Sequence, residues 1–186
     1  MKKLSFILIN IIIATCVFGD DLDMIIWHAS LHRCDSEQYD QYVVDVSNLL
    51  VAGADANEDF GRGYTAVMMA SSYGLDDILK ILVKNGGDVN KTATLTHYGE
   101  YPYYVGGFCN GITALMLAAT PGCVEVLLNA GADVNTQDEQ GRNALFFQCY
   151  FHRDSNIISL LVNAGSYLYN ENDEESILFD VIADDP

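Results

Sequence analysis

A nine-residue pattern that recurs along the chain constrains its fold more than any other feature. It is clearest at residues 127–135, where Leu-Leu-Asn-Ala ends an apolar helix and Gly-Ala-Asp-Val-Asn makes a polar turn. Near-copies occupy residues 49–57 and 82–90, and a weaker copy occupies residues 161–166. The marker glycines of the four copies are Gly53, Gly86, Gly131 and Gly165. The first and last of the three intervals between them are close to a period of about 33 residues. This period predicts a stack of repeated helical units.

Between the copies, a short apolar segment and a longer one alternate, which predicts two helices for each unit. Thr65, Thr113 and Asn143 open the short segments, and a marker glycine ends each longer one, because glycine readily takes the positive φ that closes a helix. A polar connection is predicted at residues 33–41. The predicted helices are 22–31, 42–52, 65–73, 75–85, 111–119, 123–130, 141–146, 157–164 and 175–182.

The opening residues of the short helices resemble the Thr-Pro-Leu-His core of the ankyrin repeat family. Thr65–Met68 and Thr113–Met116 match it with Ala in place of Pro and Met in place of His, and Asn143–Phe146 and Ser176–Phe179 match more loosely. The resemblance implies an all-α solenoid of helix-turn-helix pairs joined by short β-hairpin connections. It further implies protein binding on a concave surface of hairpin fingers and first helices. The Ile-, Asn- and Asp-rich composition suggests a bacterial source.

These patterns divide the chain into a signal peptide, residues 1–19, and a repeat domain, residues 20–186. One helix pair is too small to bury its own apolar faces, so the units must stack to be stable. The acidic residues near 171–186 suit the polar outer face that a terminal unit needs. The predicted parts are four units at 20–57, 58–90, 108–135 and 138–169, a half-unit at 171–186, and an insertion at about 91–107.

The first nineteen residues have the order of a secretory signal peptide. A basic start, Met1–Lys3, precedes the apolar run Leu4–Val17, and small residues precede Asp20, as signal peptidases require. The run is shorter than the about 20 residues that span a bilayer. We therefore predict cleavage after Gly19 and export to the periplasm or the medium. Lipidation at Cys16 ranks second, and a retained membrane anchor ranks third.

One interval departs from the repeat period. The stretch from a marker glycine to the next short helix has the same length in 53–65 and in 131–143, but it is more than twice as long in 86–113. Residues are therefore inserted in the connection that corresponds to a finger. In one interpretation the insertion presents tyrosines to a partner, since tyrosine is enriched at binding hot spots; in the other it only covers the neighbouring finger. Its tyrosines are Tyr98, Tyr101, Tyr103 and Tyr104.

The charge balance limits the classes of partner. The chain has 9 Lys and Arg against 26 Asp and Glu, a formal net charge of −17. This charge repels nucleic-acid backbones and anionic membranes, whereas it favours a basic protein and accelerates its capture at low salt. The resemblance places the partner on the tyrosines of the insertion and on the finger residues Phe60, Arg62 and Arg142. Other exposed finger positions are then Asp59, Gln137, Glu139 and Gln140.

Four cysteines follow the signal segment, and an oxidising compartment allows thiols to pair. Cys123 and Cys149 fall in adjacent predicted units, so they are the best candidates for a disulfide. Reduced, buried thiols are the preferred alternative, because cysteine is often a small core residue.

The sequence contains no convincing catalytic or metal site. His28 and His32 lie four residues apart on the first predicted helix, a spacing that places two imidazoles on one face. No Glu follows His28 as in the His-Glu-x-x-His motif, and the chain has no Gly-x-Ser-x-Gly or phosphate-binding loop. We predict a monomeric, exported module for protein–protein interaction, without catalysis, cofactor or metal. The alternative is a structural or protective envelope protein that has no dedicated partner.

Overall fold

The computed structural model describes residues 22–95 and 109–167. The chain divides into two compact bodies, one within residues 1–54 and one within residues 55–186, and each is considered separately. No described helix has the length and apolar character needed to cross a membrane. The elements are α1 (Leu22–Leu31), α2 (Ser36–Ala52), α3 (Ala66–Tyr73), α4 (Asp76–Lys84), β1 (Ala93–Leu95), β2 (Cys109–Ile112), α5 (Pro121–Asn129), α6 (Ala144–Phe147) and α7 (Ser155–Asn163).

The described part of the N-terminal body is the helix pair α1 and α2 of the first unit. Helix α1 has the predicted bounds, whereas α2 begins at Ser36, so the connection predicted at 33–41 is too long. Asp35 caps α2 by accepting a hydrogen bond from Gln38 N, and the first two turns of α2 are largely polar, so apolar periodicity does not reveal them. Gly53 ends α2 with φ of +106°. The buried residues of the pair are Leu22, Ile26, Ala29, Val46 and Leu50.

The second unit has the predicted pair of helices. Thr65 caps α3, since its hydroxyl accepts a hydrogen bond from Met68 N, and Gly74 closes α3 in the left-handed conformation. Helix α4 follows after Leu75 and ends at Lys84. Almost every side chain of α3 is buried, which is why this helix lacks a polar face.

The third unit departs from the prediction because its first helix is missing. Residues 114–117 form hydrogen-bonded turns rather than a helix, and the predicted helix 111–119 is wrong. The stretch from Thr113 to Cys123 is shorter than the equivalent stretch of the second unit, Thr65 to Ile78, so too little chain remains for a full helix. Helix α5 then begins at Pro121, earlier than predicted, because proline suits the first helical position.

Neighbouring units satisfy the backbone groups that the missing helix leaves unpaired. Ser71 of the second unit donates its hydroxyl to Ala114 O over 2.7 Å, and Ser71 O accepts a hydrogen bond from Ala119 N over 3.1 Å. Gln148 of the fourth unit donates its amide to Ala118 O over 2.8 Å. The third unit is thus held from both sides, because buried backbone groups need partners.

The fourth unit is slightly longer than the second, and a π-helical turn contains the extra residue. The stretch from Asn143 to Ile157 exceeds the equivalent stretch from Thr65 to Ile78 by a single residue. Helix α6 continues as a π-helix, Gln148–His152, which is the usual way for a helix to absorb a single inserted residue. Arg153 closes it with φ of +54°.

A repeated core runs through the second helices of the C-terminal body. The leucine one helical turn before each marker glycine is fully buried in the second, third and fourth units. Burial of such a side chain contributes roughly 1.5–3 kcal/mol relative to exposure. Helix α4 packs on α5, and α5 packs on α7. These leucines are Leu82, Leu127 and Leu161.

Strands β1 and β2 form the predicted hairpin between the second and third units. They pair antiparallel, and the register skips Gly111, which has φ of +86°. This is a β-bulge in which glycine takes the left-handed position. The mostly helical repeat architecture with paired helices and a short hairpin is therefore confirmed. The predicted signal peptide, most of the predicted insertion and the predicted half-unit lie outside the described residues.

An asparagine at the end of each of the first three copies of the pattern joins successive units. Asn57 Nδ2 donates to Gly86 O over 2.9 Å, and Asn57 Oδ1 accepts a hydrogen bond from Asp88 N over 2.6 Å. We call this two-bond connection an asparagine latch. The other latches run from Asn90 to Gly131 and Asp133, and from Asn135 to Gly165 and Tyr167.

A carboxylate makes a second connection, between the second and third units. Asp76 Oδ1 accepts hydrogen bonds from Thr120 Oγ1 over 2.5 Å and from Cys123 Sγ over 3.0 Å. The carboxylate therefore lies at the start of α5, where it interacts favourably with the helix dipole. A Cβ at Gly122 would clash with this carboxylate, so a larger residue there would displace the Asp76 side chain.

We predict that Asn90→Ala destabilises the protein by about 1–3 kcal/mol, because it removes two inter-unit hydrogen bonds and leaves their backbone partners unpaired. Urea unfolding of the purified chain measures the loss. Asn163→Ala, at an exposed position on α7, is the matched control and should change stability by less than about 0.5 kcal/mol. Equal losses in the two variants would contradict the latch.

Candidate partner-binding surface

Three adjacent turns of the C-terminal body form what we call the finger row. The first finger comprises residues 58–65, the second is the β1–β2 hairpin, and the third comprises residues 137–143. Each finger comes directly before the first helix of a unit or, in the third unit, before the turns that replace this helix. In this row, backbone turns rather than packed helices present side chains outward.

The first finger depends on three successive residues with positive φ. Gly61, Arg62 and Gly63 have φ of +122°, +58° and +82°, a conformation that L side chains rarely adopt. Asp59 stabilises the turn, since its Oδ1 accepts hydrogen bonds from Gly61 N over 2.8 Å and Gly63 N over 2.9 Å. The strained backbone directs Arg62 outward, where it is exposed.

The third finger is closed by an ion pair. Arg142 Nε donates to Asp138 Oδ2 over 2.8 Å, and Arg142 Nη2 lies 2.6 Å from the same oxygen. Asp138 is buried and also accepts backbone hydrogen bonds from Gln140 N and Arg142 N. The guanidinium carbon lies 5.0 Å from the ring centre of Phe147. Arg142 therefore fixes the finger from within.

Backbone hydrogen bonds connect the fingers into a continuous row. Thr94 N donates to Arg62 O over 2.9 Å, which joins the first finger to the second. Glu139 N donates to Asn110 O over 3.0 Å, and Asn110 Nδ2 donates to Glu139 Oε2 over 2.7 Å, which joins the second to the third. A rigid row of this kind loses little conformational entropy when it binds a partner.

The fingers approach so closely that glycine is needed between the first and second. A Cβ at Gly63 would lie 2.5 Å from Thr92 O and 3.2 Å from Ala93 Cα. Because the obstructing atoms belong to the backbone, they could not move aside as a flexible side chain would. The spacing of the row is therefore set by this contact.

The predicted binding residues differ in how exposed their side chains are. Phe60 and Arg142 are partly exposed, whereas Arg62 and the other predicted finger positions are exposed. The Arg142 side chain is 19% exposed and is engaged with Asp138, so it is less exposed than the sequence predicts. Arg142 therefore stabilises the third finger, and a part for it in partner binding stays a prediction. The insertion residues Tyr98, Tyr101, Tyr103 and Tyr104 lie outside the described residues.

The candidate disulfide is absent from the structure. Cys123 and Cys149 are both buried thiols, and neither belongs to a disulfide. Cys123 instead donates to Asp76, as a small buried polar group that joins two units. Burial raises the pKa of the Cys149 thiol above its ordinary value, which lowers the reactivity of this cysteine.

The two histidines of α1 contact an aromatic ring of α2 within the N-terminal body. His28 and His32 both stack on Tyr42, with ring centres 6.4 Å and 5.8 Å apart. The Trp27 ring lies edge-on to His28 at 5.0 Å. Among the described residues there is no group of three His, Cys, Asp or Glu side chains that could hold a metal ion.

Sequence reasoning did not identify an aromatic patch on the fourth unit. Phe146 and Tyr150 stack with ring centres 5.7 Å apart and planes inclined by 6°, and Tyr150 is 58% exposed. Their four-residue spacing could have revealed the pair, because side chains at i and i+4 meet on a helix. The sequence pattern predicts core positions for the apolar residues of the short helices.

Comparison with known proteins agrees with the repeat pattern. A family model described as ankyrin repeats in three copies matches residues 37–138 and 103–173. Notch homolog protein 1 of Xenopus tropicalis is 29% identical over 169 residues, which is 77% of this chain and 7% of that protein. The Xenopus laevis and human proteins are 32% and 31% identical over 134 residues, 70% of this chain and 5% of each. The chain thus spans only a small part of these curated relatives.

We predict that the N-terminal body loses stability as the pH falls below about 6.5, the ordinary pKa of histidine. Burial, together with the neighbouring His32, lowers the pKa of His28. Folded His28 therefore binds a proton less readily than unfolded His28. Its contribution to stability is fully present above the pKa of the unfolded state and is lost as the pH falls towards the pKa of the folded state. The fluorescence of Trp27, the sole tryptophan, measures thermal unfolding between about pH 7.5 and 5.5.

His28→Gln is the control for this titration. It should flatten the pH dependence of the Trp27 transition in this range, because the group whose pKa is lowered is gone. Carboxylates titrate mainly below this pH range, and their effect on stability is the same in the original chain and in His28→Gln. An unchanged pH profile in His28→Gln would show that His28 does not cause the effect.

Proposed function

Because the chain belongs to the ankyrin repeat family, we propose that it is a non-catalytic module that binds a protein partner through the finger row. Ankyrin repeats are typically protein–protein interaction modules. The single observation that carries the proposal is the hydrogen-bonded finger row with its outward-facing tips, Phe60 and Arg62 in the first finger and Glu139 and Gln140 in the third.

The described residues at the tips are suited to recognition rather than chemistry. Arg62 offers a donor group, Phe60 offers apolar area, and Glu139 offers a carboxylate that is already oriented by Asn110. A preorganised mixture of apolar and polar groups is typical of interfaces that bind with specificity. The tyrosines of the insertion would extend the same surface, because β1 and β2 place the ends of the insertion in the second finger.

The net charge of −17 supports a basic partner. Long-range attraction of this kind raises the association rate and weakens with salt, because ions screen exposed charges. The same charge is unfavourable for binding nucleic acid. We further propose that the module acts as a monomer.

We also propose that the protein is exported. Support for this comes only from the order of residues 1–19, a basic start, an apolar run and small residues before Asp20. Export would bring the finger row into contact with partners of the cell envelope or the medium. Lipidation at Cys16 and a retained anchor are the alternative outcomes for this segment.

We predict that Phe60→Ser lowers the affinity for the captured partner at least about tenfold, which corresponds to about 1.4 kcal/mol, without changing thermal stability. The partner is captured from native extract with the purified chain as bait, and its affinity is then measured by calorimetry at two salt concentrations. The affinity for a basic partner should fall at the higher salt concentration, because ions screen the attraction between exposed opposite charges.

Lys80→Ser on α4 is the control, since Lys80 is exposed and its contact is a surface pair with Asp77. It should leave the affinity unchanged. Equal affinities of Phe60→Ser and the original chain for a saturable partner would refute the finger row as the binding surface. The absence of any saturable partner would instead favour the structural or protective envelope protein.

For export, we predict that the protein recovered from its native host begins at Asp20. Intact-mass measurement should show the loss of residues 1–19, because small residues precede this position. A mass that retains the segment would contradict cleavage, and a lipid adduct on Cys16 would establish the alternative anchor.

A further inference from the structure

The chain contains two Asn-Gly dipeptides, and the fold gives them different surroundings. Asn85-Gly86 lies at the C-terminal end of α4, and Asn110-Gly111 lies on β2 in the second finger. Asparagine loses its side-chain amide most readily when glycine follows, because glycine has no side chain to hinder attack by its backbone nitrogen. The local structure then decides which of the two dipeptides reacts.

The first dipeptide is held in a conformation that opposes the reaction. Asn85 caps α4, and its Nδ2 donates to Ile81 O over 2.8 Å. Gly86 N, the atom that would attack the side chain, donates to Val83 O over 3.1 Å. Because both hydrogen bonds must break before reaction, the end of α4 must first open.

The second dipeptide lies at the β-bulge of the hairpin. Gly111 is skipped by the strand register and has φ of +86°, so the backbone departs here from the regular ladder. Asn110 and Gly111 are both partly exposed, which gives water access to them. A Cβ at Gly111 would lie 3.2 Å from Asp138 Cα. The positive φ and this close contact both favour glycine, and they thereby maintain the reactive dipeptide.

Asn110 also joins the second finger to the third. Its Nδ2 donates to Glu139 Oε2 over 2.7 Å, and its backbone carbonyl accepts a hydrogen bond from Glu139 N over 3.0 Å. An ionised carboxylate in place of this amide would have no proton to donate. It would also lie beside a second carboxylate, whose like charge repels it.

We propose that Asn110 is a self-modification site whose deamidation separates the third finger from the second. Gly111 N, after losing its proton to hydroxide, attacks Asn110 Cγ and forms a succinimide ring. The bond from Cγ to Nδ2 breaks, and Nδ2 takes up a proton from water and leaves as ammonia. One water molecule then opens the ring to aspartate or isoaspartate. The amide and water thus become a carboxylate and ammonium, and no oxidant or reductant is needed.

Both products weaken the same connection. Aspartate places its carboxylate against that of Glu139, and isoaspartate also adds a methylene group to the backbone of β2. The connection between the first and second fingers does not involve Asn110, because it runs from Thr94 N on β1 to Arg62 O. Deamidation therefore releases the third finger and leaves the first two joined.

Ageing the purified full chain in mildly alkaline buffer tests the modification site. Peptide mapping by mass spectrometry should show conversion of amide to acid at Asn110 at least about tenfold faster than at Asn85, since the end of α4 must open before Asn85 reacts. Asn110→Gln is the control and should stay unmodified, because glutamine would have to form a larger, less favoured ring. Conversion at Asn110 no faster than at Asn85 would overturn the inference.

Asn110→Asp reproduces the aspartate product and tests the separation of the fingers. The amide of Glu139 should exchange with solvent at least about fivefold faster than in the original chain, while the amide of Thr94 keeps its protection. Adding Glu139→Gln should reduce the disruption at this position, because the repulsion between two carboxylates is then gone. Unchanged exchange at Glu139 in Asn110→Asp would also overturn the inference.

The effect on binding rests on the proposed function. Gln137→Glu is the charge-matched control, since it adds the same charge at an exposed position of the third finger. Asn110→Asp should bind the captured partner at least about threefold more weakly than Gln137→Glu, because a released finger must be ordered on binding. Faster exchange at Glu139 with equal affinities of these two variants would count against the finger row as the binding surface, and the modification site would stand.

Discussion

The asparagine latch is the interaction on which the C-terminal body most depends. In each latch one carboxamide donates to the carbonyl of the next marker glycine and accepts from an amide two residues later. Both partners are backbone groups, so the latch fixes the spacing of successive units whatever side chains they carry. Asparagine suits this role because its amide has a donor and an acceptor side by side. The recurring sequence pattern therefore reflects a recurring hydrogen-bond pattern.

Since the latches fix the spacing, the helices between them can change. The third unit is shorter and lacks its first helix, yet Ser71 and Gln148 of the adjacent units complete its hydrogen bonds. The fourth unit is longer, and the π-helical turn takes up the extra residue. Nearest-neighbour contacts of a stacked array thus compensate for local gain and loss of sequence. Gln148 Oε1 remains buried without a partner among the described residues.

The parts of the structure that follow from local rules could be predicted from the sequence. Helix α1, the caps at Thr65 and Gly53, and the hairpin that frames the insertion correspond to propensity and period. The lost helix of the third unit could not be predicted, because its residues match the helical pattern and only the length of the stretch to Cys123 differs. Similarly, Arg142 has the sequence setting of an exposed finger residue, and only the three-dimensional position of Asp138 shows that it is held.

Strands β1 and β2 also have a consequence for how this protein can vary. Leu95 pairs with Cys109 across the base of the insertion, and both strands are bonded to the adjacent fingers. The two ends of the inserted loop are therefore held together independently of the residues that join them. The entropic cost of closing such a loop rises only slowly with its length, by about 0.6 kcal/mol for each doubling. Evolution, or a protein engineer grafting foreign peptides, is therefore expected to replace this one loop at little cost to the paired strands at its base.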